Sequence, residues 1–198
     1  MKICPRIVLL GAALAPMMLP AAAQTSNPPA TIRQRKENQQ DRIANGVASG
    51  QLTAGEAANL GKKESNLNQE EKLMRSEDKG KLTSADRKVL NQQQNQLSRQ
   101  IYREKHNGAV ENTNPKSEVG KRAENQQDRI AQGINSGQLT AGEAANLEHK
   151  EAALNQEVGK DRAANGGKLT AQERAQVNRQ QNHLSNQIYN KKHNGRKQ

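Results

Sequence analysis

The chain has 198 residues, of which 32% are apolar, and it contains neither Trp nor Phe. Globular chains usually carry about 45–50% apolar residues, so a large aromatic core is excluded and a thin one is expected. The formal net charge is +11, yet residues 37–108 hold 12 basic and 10 acidic side chains, and residues 124–195 hold 9 and 8. The basic surplus therefore lies outside these two ranges. Because only two Tyr side chains are present to stack on bases, we do not expect specific nucleic-acid binding.

The first 23 residues have the pattern of a secretory signal peptide. A basic start with Lys2 and Arg6 is followed by an apolar run over residues 7–18 and by three alanines. The run is shorter than the roughly 20 residues that a membrane-spanning helix needs. We expect cleavage after Ala23, a periplasmic or secreted destination, and no transmembrane span in the mature chain. Cleavage would also remove Cys4, the only cysteine, so no disulfide is expected.

An internal repeat dominates the rest of the chain. Residues 37–108 align without a gap to residues 124–195, with about two-thirds of the positions identical, so each range is treated as one architectural unit. Residues 24–36, which include Pro28 and Pro29, are expected to form a flexible basic arm. Residues 109–123 are expected to be a linker, and residues 196–198 a basic tail.

Each repeat contains the phrase Gly-x-Leu-Thr-x-x-acid twice. Glycine suits the left-handed position that ends a helix, and the threonine hydroxyl can cap the next helix. The acid three residues later can accept from the backbone of the threonine, which completes a capping box. The predicted cap pairs are Thr53 with Glu56, Thr83 with Asp86, Thr140 with Glu143, and Thr170 with Glu173.

These joints predict an all-α fold of two tandem three-helix repeats, with helices over about 37–49, 54–76 and 84–106 in the first. Apolar residues four and seven apart form narrow stripes along these helices, as in small bundles. We also predict that part of this apolar surface binds a partner. The candidates are Leu60, Leu97, Ile101, Tyr102, Leu147, Leu184, Ile188 and Tyr189. Because bundles this small bury little surface, homo-oligomerisation or partner binding is a further hypothesis.

The motifs of catalysis are missing from the sequence. It has no cysteine nucleophile after cleavage, no G-x-S-x-G turn and no phosphate-binding loop, so we do not expect an enzyme or a cofactor. The four histidines include no pair three or four residues apart, so no metal site is expected. The Gly-x-Leu-Thr-x-x-Glu phrase resembles the exit half of an EF-hand loop. Around Gly167, however, the first ligand position holds Arg162, so this resemblance implies at most a degenerate EF-hand without calcium binding.

Two further resemblances concern exported bacterial proteins. The SGxLTxxE and IYRxKH phrases, which span both repeats, resemble a set of small exported helical repeat proteins without a characterised function. The Leu-Thr-x-x-acid phrase at residues 52–56, 82–86, 139–143 and 169–173 also resembles the LTxxQ motif of Spy/CpxP-type periplasmic chaperones, with an acid in place of the final Gln. That resemblance implies binding of unfolded or envelope proteins on a helical cradle.

The leading functional hypothesis is therefore an exported, non-enzymatic helical binding protein, chaperone-like or stress-related. The alternative is an envelope protein that attaches weakly to polyanionic surfaces through its basic ends. The residues expected to make those contacts are Arg33, Arg35, Lys36, Arg196 and Lys197.

Overall fold

A computed structural model describes residues 30–111 and 116–196, and every regular element in these residues is an α-helix. The all-α class predicted from the sequence is confirmed. The helices are α1 (Ile32–Ala48), α2 (Ala54–Glu77), α3 (Ser84–Lys105), α4 (Glu118–Asn135), α5 (Ala141–Ala164) and α6 (Ala171–Lys192). None of the six helices is long and apolar enough to span a bilayer.

The capped joints set the helix boundaries. At the start of α2, the Thr53 hydroxyl accepts from the backbone N–H of Glu56, and the Glu56 carboxylate accepts from the backbone N–H of Thr53 at 2.9 Å. Equivalent boxes open α3, α5 and α6, so all four predicted caps are confirmed. The glycine before each cap has a positive φ, which reaches 90° at Gly167, and this conformation would strain any residue with a Cβ.

Four helices form the centre of the molecule, and two lie outside them. Helix α2 packs on α5 and α1 packs on α4, whereas α3 contacts α1 and α2, and α6 contacts α4 and α5. A Cβ built on Gly61 would lie 3.1 Å from the Cβ of Ala145, and one built on Gly142 would lie 3.0 Å from the Ser65 hydroxyl. Gly61 of α2 thus faces Ala145 of α5, and Ser65, further along α2, faces Gly142, which comes earlier in α5. The two helices therefore run antiparallel. Small residues let their backbones approach closely.

One apolar core is shared by both halves of the chain. It combines Ile43, Val47, Leu52, Leu60, Leu97 and Ile101 from the first half with Ile130, Ile134, Leu139, Leu147, Leu184 and Ile188 from the second. A smaller cluster of Val119, Leu154, Val158 and Val177 lies entirely within the second half. Neither half therefore encloses the main core by itself.

Buried glutamines fix the outer helices to the centre. Gln39 donates through Nε2 to the backbone carbonyl of Gln94 at 2.6 Å, and Gln94 Nε2 donates to that of Ile32 at 2.9 Å. In the second half, Gln126 and Gln181 make the same two bonds, each at 2.8 Å. Each outer helix thus folds back on its own half.

Two predicted boundaries were wrong. Helix α1 starts inside the expected arm, because Thr31 and Gln34 form a capping box there. Helix α4 starts inside the expected linker, where the Ser117 hydroxyl caps it and Val119 and Ala123 become buried. The predicted signal peptide, residues 112–115 of the linker, and Lys197 and Gln198 lie outside the described residues.

Candidate binding face

Three grooves lie side by side on the surface formed by α3, α2, α5 and α6, which we name the binding face. Asn66 lines both the α2–α3 groove and the α2–α5 groove. His149 lines the α2–α5 groove, and its neighbour Lys150 lines the α5–α6 groove. The three grooves are therefore contiguous, with volumes of about 280, 430 and 490 Å³ in that order.

The outer two grooves are built from equivalent residues. Each has two leucines at its base and a lysine, a glutamate and glutamines along its edges. The shared positions are Lys63, Leu67, Glu70, Gln93, Leu97 and Gln100 in the α2–α3 groove, and Lys150, Leu154, Glu157, Gln180, Leu184 and Gln187 in the α5–α6 groove.

The polar edges are held by hydrogen bonds across each groove. Gln93 donates to Glu70 at 2.8 Å, and Gln180 donates to Glu157 at 3.0 Å. Lys150 donates to Gln187 at 2.6 Å, and Lys63 makes the equivalent bond to Gln100. Each carboxylate therefore accepts from an amide and each lysine donates to an amide, so these shared positions give each edge one negative and one positive side chain.

The second outer groove is more basic than the first. Arg179 and His183 line the α5–α6 groove, and the residues 87 positions earlier are Gln92 and Gln96. The α2–α5 groove adds Lys62 and its equivalent His149, and no carboxylate lines it. The binding face thus combines an aliphatic base, amide edges and positive charge.

The inner side of the same helix pair carries three buried glutamates, Glu64, Glu148 and Glu151, which we name the acid cluster. Their exposed fractions are 3%, 1% and 0%. Burial raises the pKa of Glu64 to about 8, and the nearby Gln40 amide and Lys36 ammonium offset it only in part. Burial, with the negative charge of Glu111, raises the pKa of Glu151 to about 8.

Glu148 has the strongest perturbation of the three. Its burial and the neighbouring Glu151 charge raise its pKa well above the ordinary range, although Gln127 donates to its Oε2 at 3.0 Å. The acid cluster was not predicted from the sequence, because a charged residue on a helix is ordinarily assigned to solvent. The signal that was available is the periodicity, since Glu64 and Glu151 lie four residues after Leu60 and Leu147 and share their helix face.

The predicted partner-binding residues separate into two groups. The six aliphatic ones are at most 4% exposed and belong to the core, so the expectation that they present a binding surface was wrong for Leu60, Ile101, Leu147 and Ile188. Only Leu97 and Leu184 reach a groove, at its base. The physical reason is that the second half of the chain and the outer helices cover the stripes.

The two tyrosines are on the surface. Tyr102 and Tyr189 are 60% and 58% exposed, and each stacks on a histidine four residues later with ring centroids 4.2 Å apart. His106 and His193 also donate through Nδ1 to the backbone carbonyls of these tyrosines, at 2.6 and 2.7 Å. These stacks close α3 and α6 and do not line the three grooves.

The residues proposed to contact an anionic surface are mostly engaged within the protein. Arg35 bonds Asn91 and Asn95 of α3, and Lys36 forms an ion pair with Glu71 at 3.1 Å. For these two cations the expectation of free arm charges was wrong, because α1 starts earlier than predicted. Arg33 pairs with Glu37 at 2.8 Å but remains 86% exposed, and Arg196 lies 4.0 Å from Glu143 and is 72% exposed.

Within residues 30–111 and 116–196, no group of three or more His, Cys, Asp or Glu side chains is arranged to hold a metal ion. Comparisons with protein-family models, with curated proteins and with solved structures find no match.

Proposed function

We propose that the chain is an exported, non-enzymatic helical binding protein that holds extended or unfolded polypeptide segments on the binding face. The observation that carries this proposal is the repetition of one groove chemistry in two equivalent grooves, joined by a third. An unfolded segment presents apolar side chains together with backbone N–H and C=O groups. The leucines at the base of each groove can contact the apolar side chains of such a segment. The glutamine and asparagine side chains, which both donate and accept, can bond its backbone groups.

The width of the face supports a polymeric ligand rather than a small molecule. The grooves run side by side over four helices, so one segment that crosses them would contact both halves. Several weak contacts joined in one chain raise the overall affinity without a deep pocket. The surplus of cations over carboxylates on the face further favours segments that carry acidic residues.

The experiment is suppression of client aggregation by the chain, followed by light scattering, with chemically reduced insulin as the client. Asn66 and Ala153 are equivalent, exposed groove residues, so Asn66→Trp together with Ala153→Trp should fill the grooves. Gln69 and Gln156 are equally equivalent and exposed but line none of the three grooves, so Gln69→Trp with Gln156→Trp is the matched control. We expect the first pair to lose suppression and the second to retain it.

If the unmodified chain fails to suppress scattering at equal molar amounts, the proposal is wrong. Equal suppression by both tryptophan pairs would place binding elsewhere on the molecule.

Attachment to polyanionic surfaces is a second proposal, supported by the exposure of Arg33 and Arg196. Arg33→Gln with Arg196→Gln should then weaken sedimentation of the chain with vesicles that contain anionic lipid. Unchanged sedimentation would exclude these two side chains as the attachment points.

A further inference from the structure

The acid cluster lies between the two halves, where water has almost no room. Glu64 and Glu148 line a cavity of about 10 Å³ that is shared by α1, α2, α4 and α5. That volume holds about one water molecule at most, so an ionised carboxylate there could not gain a hydration shell. The rest of the cavity wall is mainly aliphatic, as at Ile43 and Ile134.

Several carboxylate oxygens of the acid cluster have no hydrogen-bond partner in the described part of the chain. They are Glu64 Oε1, Glu148 Oε1 and both oxygens of Glu151. An ionised carboxylate that is buried and unpaired is strongly unfavourable, and such a group instead takes up a proton. The geometry therefore requires the acid cluster to be neutral when the two halves are in contact.

The charged groups around the acid cluster do not reverse this conclusion. From α1, Lys36 is the cation that acts on Glu64, and its ammonium is already paired with Glu71 of α2. From α4, Gln127 supplies an amide. The segment after α3 supplies Glu111, whose charge opposes ionisation of Glu148 and Glu151.

Two further acids of α4, Glu124 and Asp128, line a surface groove together with Glu111. The charges that act on Glu148 and Glu151 themselves are those of Glu111 and, for Glu148, of Glu151, and both are negative.

We infer that the contact between the two halves is a proton-dependent switch, closed while the acid cluster is protonated and loosened when it ionises at alkaline pH. Ionisation would place negative charges on α5 and on the facing side of α2, and their repulsion would act directly across the α2–α5 contact. Small residues such as Gly61 and Ala145 bring the two backbones close together at that contact, so a charge on either helix acts over a short distance.

The switch is independent of the proposed function, but it would affect the binding face. Helices α2 and α5 carry the acid cluster on their inner side and the α2–α5 groove on their outer side. Separation of the helices would widen this groove. A client bound across it would therefore respond to external pH.

The experiment measures the distance between the two outer helices in the full chain. Arg99 of α3 and Asn186 of α6 are equivalent, exposed positions, so spin labels on Arg99→Cys and Asn186→Cys, in a Cys4→Ser background, report on separation of the halves. We expect the pulsed-EPR distance distribution to lengthen and broaden between pH 6 and pH 9, as the acid cluster ionises. The same labels in Glu64→Gln, Glu148→Gln, Glu151→Gln should give one distribution at both pH values.

The matched control removes three exposed carboxylates, in Glu37→Gln, Glu77→Gln, Glu118→Gln, and should retain the pH response. If the triple glutamine variant does not fold, Glu151→Gln alone is the second variant, because neither oxygen of Glu151 has a hydrogen-bond partner. It should reduce the pH-dependent change in distance. The inference is overturned if the unmodified chain shows the same distribution at pH 6 and pH 9. It is also overturned if the glutamine variants respond as fully as the unmodified chain.

Discussion

Gly61 and Glu148 occupy equivalent positions, 87 residues apart, in α2 and α5, and both line the cavity between the halves. The first half thus contributes no side chain where the second contributes a carboxyl group. The two halves are therefore complementary at this contact rather than identical. Gly61 therefore affects the stability of the α2–α5 contact, and Glu148 affects its pH dependence.

Replacing Gly61 by Ala should destabilise the protein, although alanine is the better helix former by about 1 kcal/mol. The new Cβ would lie 3.1 Å from the Ala145 Cβ and 3.2 Å from the backbone oxygen of Ala141, so α2 and α5 would have to move apart. Overpacking of this kind costs roughly 1–3 kcal/mol, which leaves a net loss of about 1 kcal/mol. Urea denaturation checks this.

Gly159→Ala is the control for that prediction. Gly159 lies within α5, is exposed, and a Cβ built on it meets nothing within 4 Å. The free energy of unfolding of this variant should rise by up to about 1 kcal/mol. A gain in both variants would show that the α2–α5 contact is looser than described.

The folded state should be most stable near pH 5. The pKa values of Glu64 and Glu151 rise from 4.5 to about 8 on folding, so their contribution is fully present below about pH 4.5 and is lost as the pH rises through 8. The pKa values of the cap acids, by contrast, are lowered on folding. Their contribution is therefore present above about pH 4.5 and is lost as the pH falls through the lowered values.

The cap acids with lowered pKa values are Glu56, Asp86, Glu143 and Glu173. For Glu173, the main cause is the hydrogen bond from the Thr170 backbone. The urea midpoint measured from pH 3 to pH 9 should pass through a maximum. A midpoint that rises steadily from pH 5 to pH 9 would contradict the burial of the acid cluster.

The four threonine caps should each contribute about 1 kcal/mol, the usual loss when a capping threonine becomes alanine. Thermal denaturation of Thr53→Ala, Thr83→Ala, Thr140→Ala and Thr170→Ala measures this. Replacement by serine keeps the capping oxygen and should cost less at every site. Unchanged melting in all four alanine variants would refute the role of the joints in stability.

Helix periodicity and cap chemistry predicted six helices and four boundaries because both depend on residues close in the chain. The early start of α1 was also within reach, since Thr31 and Gln34 have capping-box spacing. The pairing of the halves was not predictable in this way. It depends on Gly61 meeting Ala145, a contact between residues 84 positions apart whose small side chains carry no periodic signal.

The candidate site was largely missed for a related reason. The apolar stripes indicated which side chains tend to be buried, but only the arrangement of the six helices determines which of them remain exposed. Leu60 and Leu147 became core, whereas the polar residues Lys62 and His149 came to line a groove. The buried glutamines and glutamates run against the usual assignment of such residues to the surface.

Gln181 should be among the most sensitive polar residues. It is 1% exposed, its side-chain Nε2 donates to the Val119 backbone carbonyl at 2.8 Å, and its backbone carbonyl accepts from the Gln126 side chain. Gln181→Leu keeps most of the volume but removes the hydrogen bond to the Val119 oxygen, which should cost about 1 kcal/mol. Urea denaturation tests this, with Gln172→Leu, an exposed position of the same helix, expected to be within about 0.5 kcal/mol of the unmodified chain.

The far ends of the two halves are held by different forces. In α5, Val158 packs into an apolar cluster, but the equivalent residue of α2 is Glu71, which bonds Lys36 at 3.1 Å and Arg75 at 2.8 Å. At about 1 M salt the screening length falls to about 3 Å, which weakens charge pairs and leaves apolar contacts intact. Concentrated salt should therefore speed amide-hydrogen exchange in the last turns of α2 more than in the last turns of α5.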